Sequence, residues 1–340
     1  MKIGKLSIEL LSKLIKKYSS YQDNRVVLGP KIGEDAAVID FPEKYLVAKA
    51  DPITFATDEI GWYAVNINAN DIATRGAKPR WFLSTILLPQ NSTEDLVEKI
   101  FSQIDNACKQ LGISVIGGHT EVTYGIDRPI ISGFMLGEVE KDKLIKTSGA
   151  KVGDDVLLTK GIAIEGTAVI AREKESELRR KGYDNSFIEK CKNYLYSPGI
   201  SVVKDALIAS RYEIHSMHDP TEGGLLAGLW EIAKVSGKGM LVYKDKIKVL
   251  PESKRLCREF GLDVYRTLAS GCLLLTVNPK DTGKLLTDYK NNGINAWKIG
   301  KIMDSCYGIK LENGEEIEYL EKDEITKIFE DEKLTTSTEK

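Results

Sequence analysis

Three aspartates set beside glycines are the first residues here whose type and spacing suit chemistry. They occur in Gly33-Glu-Asp35-Ala-Ala, in Lys49-Ala-Asp51-Pro and in Asn70-Asp71-Ile-Ala-Thr-Arg-Gly-Ala-Lys-Pro. Magnesium takes hard oxygen ligands, keeps several waters and bridges carboxylates to substrate phosphates, so short Asp side chains on loops and strand ends suit it. Each also has an ordinary use. Asp51 before Pro52 reads as a turn residue, Asp35 as a cap, and Asp71 as the i,i+4 partner of Arg75.

A second cluster is Val115-Ile-Gly117-Gly118-His119-Thr120-Glu121, read as an apolar strand that ends in two glycines and then polar groups. Glycines let backbone N–H groups approach an anion, with His119 and Thr120 facing whatever binds. A plain strand-to-loop turn fits the same residues. The third cluster, Met217-His218-Asp219-Pro-Thr221-Glu222-Gly-Gly-Leu, opens a helix whose free N–H groups favour a negative ligand, although Asp219 or Thr221 also serves as a simple cap. His215 and His218 lack a third ligand in sequence for a zinc site. Neither G-x-x-x-x-G-K-[ST] nor a G-x-G-x-x-G after a strand occurs, so a nucleotide is held without those cradles.

The elements that position these groups alternate helix and strand. Strands are expected near Ala36–Ile39 and Leu46–Ala50. A helix capped by Thr57 runs to Arg75, and a stronger one opens at Ser92-x-x-Asp95 with the stripe Leu96, Ile100, Ile104, Ala107 and Leu111, ending at Gly112. Strands Ile113–Ile116 and Pro129–Val139 follow. Beyond Ser148-Gly-Ala-Lys, helices are expected near Thr167–Arg180, Ser201–Ser210, Glu222–Ser236 and Glu252–Phe260. Strands are expected near Val156–Thr159, Met240–Val242, Leu273–Val277 and Trp297–Ile299. This predicts an α/β or α+β chain of two domains, residues 1–150 and 151–330, with a flexible tail at 331–340.

Composition bounds the partners. Lys+Arg 48 against Asp+Glu 50 leaves no basic field for nucleic acid. No apolar run approaches the roughly 18 residues of a membrane span, and the lysine-studded N-terminus reads as an amphipathic helix; a cytoplasmic home is expected. The cysteines, Cys108, Cys191, Cys257, Cys272 and Cys306, form no C-x-x-C pair and read as reduced, mostly buried thiols.

Together, and in this order, the clusters resemble the PurM-like ATP-binding superfamily of aminoimidazole ribonucleotide (AIR) synthetase, thiamine-monophosphate kinase, selenophosphate synthetase and the hydrogenase maturation factor HypE. The resemblance runs from about Gly29 to Gly300, with the Asn70-to-Pro79 run its most specific part. It implies an α/β N-terminal domain whose strands join a partner's in a dimeric β-barrel, an α/β C-terminal domain, and ATP held through magnesium by Asp35, Asp51 and Asp71. Gly117, Gly118, Thr120, Glu121, Asp219 and Glu222 are then expected at the nucleotide, with Asp71 and His119 at the chemistry.

The second half is most similar to HypE, in Thr159-Lys-Gly-Ile-Ala-Ile-Glu165-Gly-Thr, Asp219-Pro-Thr-Glu-Gly-Gly-Leu and Glu231-Ile-Ala-Lys-Val-Ser-Gly. The C-terminal carrier cysteine of that factor has no match, because the last cysteine is Cys306. His119 stands where HypE and the thiamine-phosphate kinase place Asp. The expectation is an ATP-dependent enzyme that phosphorylates or dehydrates an amide- or carboxylate-like oxygen, as a homodimer with a possible maturation partner protein. The alternatives are a small-metabolite kinase such as thiamine-monophosphate kinase, or a non-catalytic ATP-binding assembly partner.

Overall fold

The computed structural model describes residues 8–9, 12–13, 24–29, 33–34, 36–54, 58–319 and 322–329. Asp35, Thr57, most of the N-terminal helix expectation and the tail at 331–340 lie outside the described residues. The chain forms a mixed α/β structure with two six-stranded sheets, in compact units that divide between Ile145 and Lys146.

The first unit carries strands β1 (Val26–Leu28), β2 (Ala37–Asp40), β3 (Lys44–Ile53), β4 (Lys78–Pro89), β5 (Ser114–Thr123) and β6 (Ile130–Glu140). Their order is β1-β2-β3-β6-β4-β5, and the sheet is open in the single chain. Neighbours are antiparallel except β4 and β5, which run parallel. A parallel pair needs a crossover, and helix α2 (Glu94–Leu111) supplies it.

Helix α1 (Ile60–Ala73) is buried along its whole length, as expected of a helix without a polar face. Its buried amides are satisfied locally: Asn66 Nδ2 donates to the Trp62 carbonyl at 2.9 Å and Asn68 Nδ2 to that of Ala64 at 2.8 Å. Gly61 N–H, an orphan donor of the first turn, donates to Gln103 Oε1 of α2 at 3.0 Å. Helix α2 buries Ile100, Ile104 and Ala107 and ends at Gly112 in the left-handed region. Its cap is Thr93, one residue beyond the expected Ser92, with Thr93 Oγ1 accepting from Leu96 N.

Sequence patterning stopped the strand after Ile116, but β5 continues through both glycines to Thr123. The cause is non-local: β4 runs alongside in register, Ser84 opposite Gly118 and Thr85 opposite His119. A Cβ on Gly118 would overlap the Ser84 carbonyl oxygen, and its φ of 149° suits glycine.

The second unit holds β7 (Asp155–Thr159), β8 (Ile214–His218), β9 (Gly239–Val242), β10 (Leu274–Val277), β11 (Ala296–Met303) and β12 (Ile309–Leu311), in the order β12-β9-β11-β7-β10-β8. Helices α3 (Ile164–Glu173), α4 (Glu175–Arg180), α5 (Asn185–Lys192), α6 (Val203–Ala209), α7 (Gly224–Ser236), α8 (Pro251–Glu259) and α9 (Pro279–Asn291) complete it. The single helix expected over Thr167–Arg180 is two, because Lys174 leaves helical geometry between α3 and α4. Leu225, Leu229 and Ile232 of α7 pack on Val156, Leu158, Leu274 and Ile299 of the sheet to form the core.

Candidate functional site

Side chains alternate faces along a strand, so Lys49 and Asp51 of β3 share a face with buried Val47 and Ile53, the face covered by α1. Asp71 enters from α1. Lys49 Nζ lies 3.0 Å from Asp71 Oδ2 and 3.6 Å from Asp51 Oδ2. The two expected metal-binding carboxylates therefore converge on one cation position. Asn68 Nδ2 donates to the Asp51 carbonyl at 3.1 Å, tying α1 to the strand at that point.

The loop bearing Gly33 and Glu34 is anchored to the same helix end. Arg75 Nη1 donates to Glu34 Oε2 at 2.7 Å, with both side chains almost wholly buried. Thr74 Oγ1 donates back to the Asp71 carbonyl at 2.8 Å, closing the last turn of α1 beneath the carboxylate. Neither Lys49 nor the Arg75–Glu34 pair was singled out from sequence. Lys49 carried one usable signal, its place two residues before Asp51 on a strand.

Across the sheet, Asp51, Gly133, Ser84 and Gly118 form one registered row on β3, β6, β4 and β5. His119 and Glu121 alternate to the opposite, open face, where His119 Nε2 and Glu121 Oε2 lie 3.1 Å apart and both side chains are exposed. A cavity of about 550 Å³ is lined by Lys49, Ala50, Ser84, Thr85, Gly118 and His119. Gly117, Gly118, His119 and Thr120 also line a second cavity of about 410 Å³, against Phe101 and Asp105 of α2. The glycine strand thus separates two cavities.

In the second unit, Asp219 is buried and Glu222 half-buried ahead of α7. The cap of α7 is Gly223, not Asp219 or Thr221. Gly223 N–H donates to Asp323 Oδ2 at 2.6 Å, while Asp323 Oδ1 accepts from Leu268 N at 3.2 Å and Ile325 N at 2.7 Å. The chain's own carboxylate therefore occupies an N–H that sequence reasoning offered to a bound anion. Burial pushes the Asp323 carboxyl up to about 6 against the pull of these donors.

The histidines of this region pair with carboxylates: His218 Nε2 with Glu231 Oε2 at 2.8 Å, and His215 Nδ1 with Asp154 Oδ1 at 2.9 Å. Burial pushes the thiols of Cys108, Cys191, Cys257 and Cys272 up to about 12, which leaves them poor nucleophiles. Among the described residues, no three His, Cys, Asp or Glu side chains group as a metal cluster. Asp51 and Asp71 are a pair. Two carboxylates suffice for magnesium when phosphates and water complete its shell.

Residues 33–139 match the N-terminal domain, and residues 151–310 the C-terminal domain, of AIR synthase related proteins. The chain belongs to the AIR synthase related protein family. Within that family it is 29% identical over 316 residues to a putative hydrogenase expression/formation protein of Methanocaldococcus jannaschii, covering 91% of each chain. It is 26% identical to the carbamoyl dehydratase HypE of Rhizobium leguminosarum bv. viciae, over 83% of this chain and 80% of that one. Thiamine-monophosphate kinase of Pyrococcus horikoshii is 27% identical, over 82% and 85%.

Solved structures share the fold. AaThiL complexed with AMPPCP and TMP superposes with a TM-score of 0.72 at 21% identity, covering 94% of this chain and 98% of that one. HypE in a HypE-HypF complex superposes with a TM-score of 0.68 at 25% identity, over 88% and 97%. No helix among the described residues is long and apolar enough to cross a membrane.

Proposed function

We propose that this AIR synthase related chain binds ATP with magnesium and uses it to phosphorylate or dehydrate an amide- or carboxylate-like oxygen, in hydrogenase maturation. The observation that carries the proposal is the convergence of Asp51 and Asp71 on one cation position. That donor set fits magnesium, with hard carboxylate oxygens supplied from two rigid elements. Asp35, which precedes Asp51 in the motif order, is assigned as a third ligand by its sequence context.

When bound, magnesium would neutralise charge on the transferring phosphoryl group, the main requirement of a reaction governed by positioning and electrostatics. In this reading Asp71 is held rigid by α1, and Asn68 and Arg75 keep the neighbouring backbone in place. Gly117, Gly118, Thr120 and Glu121 are assigned to the nucleotide and His119 to proton transfer by their sequence context, with His119 and Glu121 on the sheet face opposite to Asp51 and Asp71. The hydrogenase-related and carbamoyl dehydratase relatives support the substrate class.

A second reading, a small-metabolite kinase, is favoured by the thiamine-monophosphate kinase likeness in sequence and fold. Both readings accommodate a homodimer built on the open sheet face, where β5 is exposed along nearly its whole length and Phe134 is 41% exposed. The complex of HypE with HypF supports a partner protein.

Titration calorimetry with Mg-ATP tests the site: wild type should bind, and Asp51→Asn with Asp71→Asn should bind at least ten-fold more weakly. Equal binding would remove the assignment. Phosphorus NMR then separates the readings. ADP with a diphosphate product from thiamine monophosphate selects the kinase, ATP consumption with a carbamoyl thiol acceptor selects the dehydratase, and binding without turnover selects an assembly role.

A further inference from the structure

Lys49 carries the same sign of charge as the ion that its neighbours are suited to hold. Its Nζ is 3.0 Å from Asp71 Oδ2 and 3.6 Å from Asp51 Oδ2, on a side chain 21% exposed facing an Asp71 side chain 7% exposed. A lysine ammonium is a compact point charge with three donors, able to satisfy two carboxylates at once. Two carboxylates brought together without it would repel, and Asp71, 7% exposed beside an Asp51 that is 41% exposed, is shielded from the bulk water that would screen the repulsion.

Magnesium sits about 2.0–2.1 Å from its oxygen ligands. An ion that close to Asp71 Oδ2 would lie within reach of strong repulsion from an ammonium on the same oxygen.

We infer that Lys49 is a resident counter-ion of the metal-free site. It holds Asp51 and Asp71 together, opposes entry of a free divalent ion, and yields Asp71 when the metal arrives with the polyphosphate of a nucleotide, whose oxygens take the displaced ammonium. The inference rests on the magnesium-ATP reading, and it makes Lys49 a residue that sets metal affinity and the order in which metal and nucleotide enter. Lysine in a strand gives no such signal by itself; its distances to the two carboxylates do.

The test is a Mn²⁺ titration followed by electron paramagnetic resonance on the nucleotide-free protein, with thermal melting in chelator alongside. Lys49→Met should bind Mn²⁺ roughly ten-fold or more tightly than wild type, since a like charge has been removed from beside the ion. Its metal-free melting temperature should fall, and Mn²⁺ should raise that temperature by more than it does in wild type. Lys49→Arg, which keeps the charge, should return Mn²⁺ affinity towards wild type; Lys49→Gln should behave as Lys49→Met does, and replaces it if the methionine variant fails to fold.

Equal or weaker Mn²⁺ binding by Lys49→Met and Lys49→Gln, with wild type binding and Asp71→Asn not, overturns the counter-ion role and leaves the metal reading standing. Absence of Mn²⁺ binding in every form, both neutral variants included, overturns the metal reading and this inference with it.

Discussion

Arg75 Nη1 donates to Glu34 Oε2 at 2.7 Å across a sequence separation of 41, and the two side chains are 0% and 1% exposed. The pair binds the Gly33–Glu34 loop to the end of α1, four residues after Asp71. Removing one partner strands a buried charge, which costs about 3–5 kcal/mol, whereas an apolar pair of similar volume costs far less. Arg75→Met should therefore lower stability to guanidinium by about that amount. Glu34→Leu with Arg75→Met should recover more than half of the loss, and a non-recovering double variant would show that the arginine acts through other contacts.

Gly118 is needed where β5 passes β4, and its substitution separates packing from anion binding. A side-chain methyl would overlap the Ser84 carbonyl oxygen at a φ of 149° that alanine rarely adopts. Gly118→Ala should cost about 2–3 kcal/mol in the absence of any ligand. Gly117 has only the Leu83 side chain at 3.8 Å from such a methyl, so its alanine variant meets the φ of 154° but little crowding and should cost less. Chemical denaturation of the two variants, compared at matched conditions, decides the order.

What the sequence made legible was local. Helix α2 announced itself by its stripe and by Gly112, and Asp51 and Asp71 by their flanking residues. Lys49 passed as an ordinary strand residue, because its meaning depends on a helix that packs over it. The two glycines read as the end of a strand, since only the approach of β4 makes them part of one. Asp323 had no local signal at all: it serves Gly223 from 100 residues away. Pairings between distant segments, rather than propensities, account for each of these misses.

His119 stands on the open face with Glu121, 66% exposed and separate from the carboxylates beneath α1. An exposed side chain contributes little to folding, so His119→Ala should change stability by no more than about 0.5 kcal/mol. If His119 transfers a proton in the reaction, the same variant should lose roughly a hundred-fold or more in turnover while its affinity for Mg-ATP stays within about two-fold. A variant that loses affinity and turnover together would place His119 at the nucleotide instead.

Asp323 makes stability depend on pH in an unusual direction for a carboxylate. Its carboxyl is pushed up to about 6 from an ordinary 3.8, burial outweighing the N–H groups of Gly223, Leu268 and Ile325. Above pH 6 both folded and unfolded forms are ionised, and the group adds nothing through protonation. Between about 6 and 3.8 the folded form alone holds the extra proton, so stability from this group rises as pH falls and is fully present below the unfolded value. From pH 7 to pH 5 the gain is about 1 kcal/mol. Asp323→Asn cannot take up that proton, so the melting temperature of wild type relative to the variant should increase by a few degrees over this interval. A constant or shrinking difference would mean that the three N–H donors, rather than burial, set the charge state of Asp323.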